Sequence, residues 1–222
     1  MNKKWREYAK KVYNHYGQEF EATLILEDDN FFIMDWRDKN GSGNLATRYI
    51  VDKKKGDLII KGDAGDCIAC WFNEVTPEKL AVYINSTSYF IEKFQCSSNK
   101  YTYDLDDIQS DLEELREEYL GYLRNDDLMM FDDEDMDADE KEEELNQDFD
   151  DMSALLEDNP PHEGWTVSDD LVELFSKYNA DWWESGFVDL GKRIDKRVYL
   201  WTYGFQEGVE QLRGKQFVNK DV

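Results

Sequence analysis

The sequence predicts an α+β protein, in which an N-terminal helix–antiparallel sheet–helix unit precedes an acidic, mainly helical C-terminal half. Two patterns lead to this prediction. Short runs rich in β-branched and aromatic residues alternate with turn residues up to about residue 72, and helical periodicity dominates from residue 104 onward. The 7 Trp, 13 Tyr and 12 Phe residues are a third observation. Disordered chains of high charge contain few aromatic residues, so we expect a packed core.

Residues 1–98 carry the elements of the predicted α+β domain. Aromatic and aliphatic side chains share one face of residues 3–16, which indicates an amphipathic helix that ends at Gly17. Thr76 and Pro77 are typical of the start of a second helix. Five strand-like runs lie between these helices, and the tight turns that separate them favour an antiparallel meander. The runs are residues 20–26, 31–36, 46–51, 57–60 and 67–72.

An acidic segment, residues 99–165, follows this domain. Residues 103–165 contain 26 acidic and three basic side chains, whereas residues 1–102 contain 15 of each. Apolar residues in its first half recur at steps of three and four, which predicts a helix with Asp104 as N-cap and an end near Arg124. The apolar stripe of this helix is Leu105, Ile108, Leu112, Leu115, Tyr119 and Tyr122.

The same helix carries its carboxylates in two rows, on the faces away from the apolar stripe. Neighbours in such rows lie about 5–6 Å apart at Cβ and repel each other, so a buried stripe has to hold the helix together. We predict that these rows and the acidic loop after them bind a basic partner. The predicted partner-binding residues are Asp104, Asp106, Asp107, Asp111, Glu113, Glu114, Glu117, Glu118, Asp132, Asp133, Asp135 and Asp137.

Helical spacing is interrupted after this helix and then resumes. Residues 132–140 have no apolar face, and we expect them to be the most mobile internal segment. Gly204 and Gly208 lie in the last predicted helix, where they permit a neighbouring element to pack closely. We expect residues 166–222 to form C-terminal helices that pack on the rest of the chain. The predicted helices cover residues 140–157, 168–178 and 181–213.

The sequence contains no pattern of a known catalytic site, so we predict that the protein is not an enzyme and needs no cofactor or metal. Phosphate-binding loops, the nucleophile elbow and the zinc-protease motif are missing. Cys67 and Cys70 form a C-x-x-C within a strand-like run, whereas a redox motif requires a helix N-terminus. Positions 1, 3, 5 and 12 of a calcium-binding loop are matched by Asp133, Asp135, Asp137 and Glu144, but Ala138 stands where the turn needs glycine.

The charge balance indicates the kind of partner. A net charge of −25 disfavours direct binding to nucleic acid or to an anionic membrane, and it favours a basic protein. No apolar run is long enough for a transmembrane helix, and three cysteines without a disulfide pattern favour the reducing cytoplasm. The alternative explanation of the charge is solubility, because acidic surfaces keep proteins in solution.

Residues 104–163 and the overall character of the chain resemble the acidic DNA-mimic inhibitors of phages and mobile elements, the anti-restriction and anti-CRISPR proteins. The resemblance implies a cytoplasmic protein that occupies the basic DNA- or RNA-binding channel of a host nuclease. Three other classes stay open. They are an immunity protein that neutralises a basic nuclease toxin, an acidic adaptor or chaperone for a basic protein, and an enzyme whose site is unrecognised.

Overall fold

Helices and antiparallel strands are both present, which confirms the predicted α+β fold class. The computed structural model describes residues 3–15, 18–41, 43–124, 137–162, 165–179, 181–184 and 186–214. Its helices are α1 Lys3–Tyr13, α2 Pro77–Tyr83, α3 Thr87–Glu92, α4 Leu105–Arg124, α5 Ala138–Asp158, α6 Asp169–Tyr178 and α7 Lys196–Arg213. Its strands are β1 Phe20–Glu27, β2 Phe31–Asp38, β3 Thr47–Asp52, β4 Asp57–Gly62, β5 Cys67–Cys70, β6 Phe94–Ser97, β7 Tyr101–Tyr103 and β8 Lys192–Ile194.

Strands β1 to β6 form one antiparallel sheet, in which they lie side by side in sequence order. The five predicted strands are β1 to β5, so the predicted meander is confirmed. Strand β6 was not predicted; it returns to the sheet after α3, and its Cys96 pairs with Ile68 of β5. Only Lys93 separates α3 from β6, so no turn sequence marks the start of this strand.

The chain folds into two compact units. Unit 1 comprises Met1–Lys100 together with Asp195–Val222, and unit 2 comprises Tyr101–Ile194. Unit 2 holds six basic and 32 acidic residues, a formal charge of −26. Unit 1 holds 20 basic and 19 acidic residues, a formal charge of +1. The charge is therefore divided along the same boundary as the fold.

The predicted third segment, residues 166–222, is shared between these units. Leu171 and Phe175 of α6 are buried in the core of unit 2, whereas Trp201 and Phe205 of α7 are buried in unit 1. Periodicity shows which side of a helix is apolar, but it does not show which neighbour covers that side. The two observed units therefore differ in their bounds from the three predicted segments, residues 1–98, 99–165 and 166–222.

Helix α7 packs against the sheet of unit 1 at close range. The Tyr49 hydroxyl donates a hydrogen bond of 3.0 Å to the carbonyl oxygen of Trp201. A Cβ on Gly204 would lie 2.5 Å from that hydroxyl oxygen, and one on Gly208 would lie 2.7 Å from Cε of Met34. Both distances are shorter than van der Waals contact. At position 204 the neighbours are the hydrogen-bonded Tyr49 and the Trp36 ring, so the helix needs glycine there, whereas at position 208 the flexible end of Met34 would have to shift. The predicted role of the two glycines is confirmed.

The last helix begins later than predicted. The sequence pattern places its start near residue 181, but the structure has two short 3-10 turns and strand β8 before α7. Asp195 is the N-cap, and its carboxylate accepts the backbone N–H of Arg197 at 2.8 Å. Phe187 and Leu190 fit the helical spacing but are buried in the core of unit 2. Their regular spacing therefore does not reflect a continuous helix.

Unit 2 is a helical bundle joined to a two-stranded ladder. Helices α4 and α5 are antiparallel, because Gln109 is hydrogen-bonded to Glu157 near one end of the pair and Arg124 to Glu142 near the other. Strands β7 and β8 pair so that Tyr101 lies opposite Ile194. The buried core is formed by Ile108, Leu112, Tyr119, Leu120, Leu145, Phe149, Met152, Leu156, Leu171, Phe175, Tyr178, Phe187 and Leu190.

Two glycine-to-alanine substitutions should have opposite effects on stability. Gly204→Ala forces a methyl group against Tyr49 and Trp36, and overpacking of this kind costs about 1–3 kcal/mol. Gly121→Ala in α4 is the matched control, since no described atom outside the local helix lies within 4 Å of the added Cβ. We expect it to stabilise α4 by about 0.5–1 kcal/mol. Thermal unfolding of the two variants, followed by circular dichroism, measures both shifts; equal shifts would contradict the close packing.

Candidate interaction surface on the acidic unit

Helix α4 presents the predicted acidic rows because its opposite side is buried. Ile108, Leu112 and Tyr119 are in the core of unit 2, as the apolar stripe predicts, and Leu115 packs against that core. The stripe is shorter than predicted, since Leu105 and Tyr122 are 43% and 41% exposed. Leu105 is the first residue of α4 and Tyr122 lies in its last turn, so both are at the ends of the buried stripe.

Six carboxylates of α4 and its N-cap are exposed to solvent, and we call this set the acidic face. Asp104 is the residue before the helix, and its carboxylate accepts the backbone N–H of Asp106 at 3.0 Å, which confirms the predicted N-cap contact. The other members follow at helical spacing on the faces away from the core. The acidic face consists of Asp104, Asp106, Glu113, Glu114, Glu117 and Glu118.

The remaining predicted carboxylates of α4, Asp107 and Asp111, are half-buried in contacts within unit 2. Asp111 accepts two hydrogen bonds from the guanidinium group of Arg193, at 2.6 and 2.8 Å. The Arg193 Nε atom lies 3.3 Å from a carboxylate oxygen of Asp107. This bidentate pairing lowers the pKa of Asp111 and joins α4 to β8. The two residues thus serve the fold, and they are less available to a partner than the acidic face.

Gly191 completes this contact. Its backbone N–H donates to Asp111 at 2.8 Å, and its φ angle of +67° lies in the left-handed region. A Cβ here would lie 2.2 Å from Cγ1 of the buried Ile108, so no other residue allows the same approach. The sequence analysis did not identify Gly191 or Arg193 as partners of the acidic helix. The only local signal is Gly191-Lys192-Arg193, an adjacent pair of basic residues after a long acidic stretch.

Asp137 is part of a helix cap rather than of a mobile loop. Its carboxylate accepts the backbone N–H groups of Asp139 and Glu140, and the Glu140 side chain accepts the N–H of Asp137 in return. The end of the predicted mobile segment, residues 137–140, is therefore ordered as the start of α5. In the calcium-loop pattern through Asp137, the sixth position, Ala138, is the first residue of α5, whereas a calcium-binding loop makes a sharp turn there. The predicted partner-binding residues Asp132, Asp133 and Asp135 lie outside the described residues.

Five of the six basic residues of unit 2 are held in ion pairs with its own carboxylates. One of these pairs involves the acidic face, since Arg116 lies 3.5 Å from Glu113. Arg116 contacts Asp150 at 2.6 Å, Arg124 contacts Glu142 at 2.8 Å, and Lys192 contacts Asp189 at 2.5 Å. Lys177 binds both Glu144 and Asp148, and Arg193 binds Asp111 as described above. The cations therefore neutralise side chains within the unit, and the exposed faces of α4 and α5 are left strongly negative.

The spacing of the acidic face is close to that of phosphates in DNA. At 1.5 Å per residue, the stretch from Asp104 to Glu118 is about 21 Å long. Its six exposed carboxylates are separated by five intervals, a mean of about 4.2 Å per charge along the helix axis, compared with about 3.4 Å along one DNA strand. The surface therefore presents a linear charge density similar to that of one strand of the nucleic acid.

The three cysteines belong to unit 1. Cys67 and Cys70 are buried in unit 1, while Cys96 is exposed. Burial raises the pKa of the Cys67 thiol, which makes it a poor nucleophile. In the described part of the chain, no group of three Cys, His, Asp or Glu side chains is arranged to hold a metal ion. Likewise, none of the helices within the described ranges has the length and hydropathy of a membrane span.

Comparisons of the chain with protein-family models, with curated proteins and with solved structures found no match. The function therefore has to be argued from the surface itself, through its charge, its exposure and its contacts.

The Asp111–Arg193 pair should contribute measurably to the stability of unit 2. Asp111→Asn removes the charge from a bidentate pair, and hydrogen bonds to charged groups are worth about 1.5–3 kcal/mol each. We expect a total loss near the lower end, because the pair is partly exposed to solvent. Glu114→Gln is the matched control on the same helix, and it should change stability by less than about 0.5 kcal/mol. Urea unfolding followed by helix circular dichroism gives both values.

The same pair should make part of this stability depend on pH. Because the pKa of Asp111 is lower in the folded than in the unfolded state, its contribution is fully present above the unfolded pKa of about 3.9. It is lost as the pH falls through the lowered folded pKa. The difference between the parent protein and Asp111→Asn should therefore shrink from pH 7 toward pH 2. A difference that stays constant over this range would contradict the ionised pair.

Proposed function

We propose that this chain inhibits a nucleic-acid-acting enzyme by occupying its basic DNA- or RNA-binding channel. In this proposal it is an anti-restriction or anti-CRISPR protein of a phage or mobile element, and it acts in the cytoplasm of the host cell. The observation that carries the proposal is the concentration of charge: unit 2 has a formal charge of −26, whereas unit 1 has +1. A surface that served solubility alone would not need to be confined to one unit.

The physical basis is competition for the same positive surface. A protein that binds DNA gains free energy when phosphate charges are neutralised by Lys and Arg and their counterions are released. The acidic face offers carboxylates at a similar spacing on a helix that is supported by a buried core. Its charges are therefore already positioned before binding, which lowers the entropy cost of association. Long-range attraction between surfaces of opposite charge also accelerates the encounter.

Identification of the target tests the class of partner. The purified chain, immobilised through its N-terminus, should retain a basic nuclease from a lysate of cells that carry restriction or CRISPR enzymes. Excess duplex DNA should release that nuclease, because both ligands use the same channel. Retention of a secreted nuclease toxin would instead support an immunity protein. Retention of basic proteins that DNA does not release would support an adaptor or chaperone and would contradict the proposed DNA-mimic inhibition.

Neutralisation of the acidic face should weaken binding to the captured enzyme. In the variant Asp106→Asn, Glu113→Gln, Glu117→Gln three exposed charges are removed, while Asp107 and Asp111 keep their contacts with Arg193. We expect the dissociation constant to rise about tenfold at low salt, mainly through slower association, because attraction depends on the summed charge. Binding should also depend less steeply on salt concentration, since screening acts on fewer charges. Titration across a salt series measures both effects.

The matched control removes the same number of charges from unit 1. Its substitutions are Glu7→Gln, Glu21→Gln and Asp29→Asn, all at exposed positions. This variant should bind the enzyme within about threefold of the parent, because its charges lie outside the proposed surface. If both variants bind the enzyme equally weakly, net charge alone determines binding and the proposed role of the acidic face fails.

A further inference from the structure

Helices α5 and α6 enclose a groove that differs from the rest of the acidic surface. Its volume is about 700 Å3, within the usual range of ligand-binding clefts in proteins. Leu155 of α5 and Leu174 of α6 line it, and both are half-buried against the core of unit 2. Ala154 also lines the groove and is exposed. Apolar surface is thus accessible inside a strongly negative unit.

Carboxylates border this apolar surface on both sides. Asp151 lies three and four residues before Ala154 and Leu155 on α5, so it shares their face. On α6, Asp170 lies four residues before Leu174 and Glu173 directly precedes it, and both line the groove. All three carboxylates are exposed. Among the described residues, Asp170 and Glu173 form no ion pair. Their charges are therefore available to a ligand.

The other end of the groove is closed by contacts within unit 2. Lys177 binds Glu144 and Asp148, and the Tyr178 hydroxyl donates to Asp148 at 2.7 Å. Burial raises the pKa of Tyr178, and the hydrogen bond to Asp148 adds to this effect, so the hydroxyl keeps its proton as a donor. Asp148 is therefore already paired within the unit. The negative charge of the groove is concentrated at the end that holds Asp151, Asp170 and Glu173.

We propose that this groove binds a basic amphipathic helix of a protein partner. The apolar side chains of such a helix cover Leu155 and Leu174, while its Lys or Arg side chains reach the carboxylates at the border. Long basic side chains suit this geometry, since their aliphatic stems lie on apolar surface and their charged ends stay among carboxylates. A nucleic acid is excluded by its charge. The inference rests on the proposed function, in that it names a chemical feature of the basic partner.

The apolar lining distinguishes this proposal from attraction by charge alone. A flexible basic chain is drawn to any cluster of carboxylates and gains nothing from Leu155 and Leu174. A helix with separate basic and apolar faces gains from both, because burial of apolar surface contributes about 25 cal/mol per Å2. Selectivity for an amphipathic helix over a flexible chain of equal charge is therefore the property to measure.

A single substitution on the groove lining tests the site. Ala154→Arg places a long cationic side chain where the partner helix would lie, at an exposed helical position that tolerates a larger residue. Ser110→Arg is the matched control, since it adds the same charge at an exposed position of α4 beside the acidic face. The probes are a fluorescent Lys/Leu amphipathic helix of about five turns and an oligolysine of equal charge. Fluorescence anisotropy gives their dissociation constants.

We expect the parent protein to bind the amphipathic helix about tenfold more tightly than the oligolysine, which corresponds to about 1.4 kcal/mol. Ala154→Arg should abolish this preference. Ser110→Arg should weaken the binding of both probes slightly and leave the preference unchanged. Loss of the preference in both variants, or no preference in the parent, would overturn the proposal. A circular dichroism spectrum confirms folding, and Asp170→Asn with Glu173→Gln is the second variant if Ala154→Arg does not fold.

These outcomes are separate from those that test the mimic. The DNA-mimic tests depend on the acidic face of α4. They measure whether DNA releases a captured nuclease and whether the variant with substitutions at Asp106, Glu113 and Glu117 binds that nuclease more weakly. Ala154→Arg changes α5 alone. If nuclease binding follows the acidic face while the peptide preference is absent, the groove proposal fails and the proposed function stands. If the peptide preference is present but DNA does not compete with the chain for the nuclease, the groove proposal is supported and the proposed DNA-mimic function fails.

Discussion

Electrostatic repulsion within unit 2 is the constraint on which the rest of the structure depends. Between Tyr101 and Ile194 the chain carries 32 acidic residues and only six basic ones. Like-charged neighbours on a helix cost a few tenths of a kcal/mol per pair, whereas a fully buried Leu or Phe contributes about 1.5–3 kcal/mol. The thirteen buried residues of the bundle core, among them Phe149, Phe175 and Phe187, therefore offset a repulsion that isolated acidic helices would not withstand.

The scarcity of cations explains where they are placed. Each ion-paired cation in the described part of unit 2 binds a carboxylate where it ties elements or turns together. Arg116, Lys177 and Arg193 each bind two. Arg116 joins α4 to α5 and also lies over the ring of Phe149, so one side chain contributes charge and packing. The ion pairs therefore lie at contacts between elements, whereas the carboxylates that repel one another are exposed to solvent. A partner with a positive surface lowers the free energy of that remaining charge.

Local sequence patterns predicted the elements that depend on local spacing. Strands β1 to β5 and helices α4, α5 and α6 follow from periodicity, caps and turns, and so does the outward direction of the acidic face. Contacts distant in sequence could not be predicted. Strand β7 pairs with β8 some ninety residues later, and each has only three residues, too few for a recognisable pattern. The sequence predicts Asp111 to be one more member of an acidic row, because no nearby residue indicates that Arg193 will form an ion pair with it. The groove was missed for the same reason, since its two sides belong to helices predicted separately.

The division of unit 1 into two stretches of sequence affects the order in which the protein can fold. Unit 2 is continuous from Tyr101 to Ile194, so all of its core residues are synthesised before α7. The sheet of unit 1 is synthesised first, yet Met34 and Tyr49 have no α7 to pack against until residues 196–213 have been made. Domains usually fold in the order of their synthesis, from the N-terminus. Here the acidic bundle can be complete while the neutral sheet still lacks its last helix, and the nascent chain carries its full negative charge before its first domain is closed.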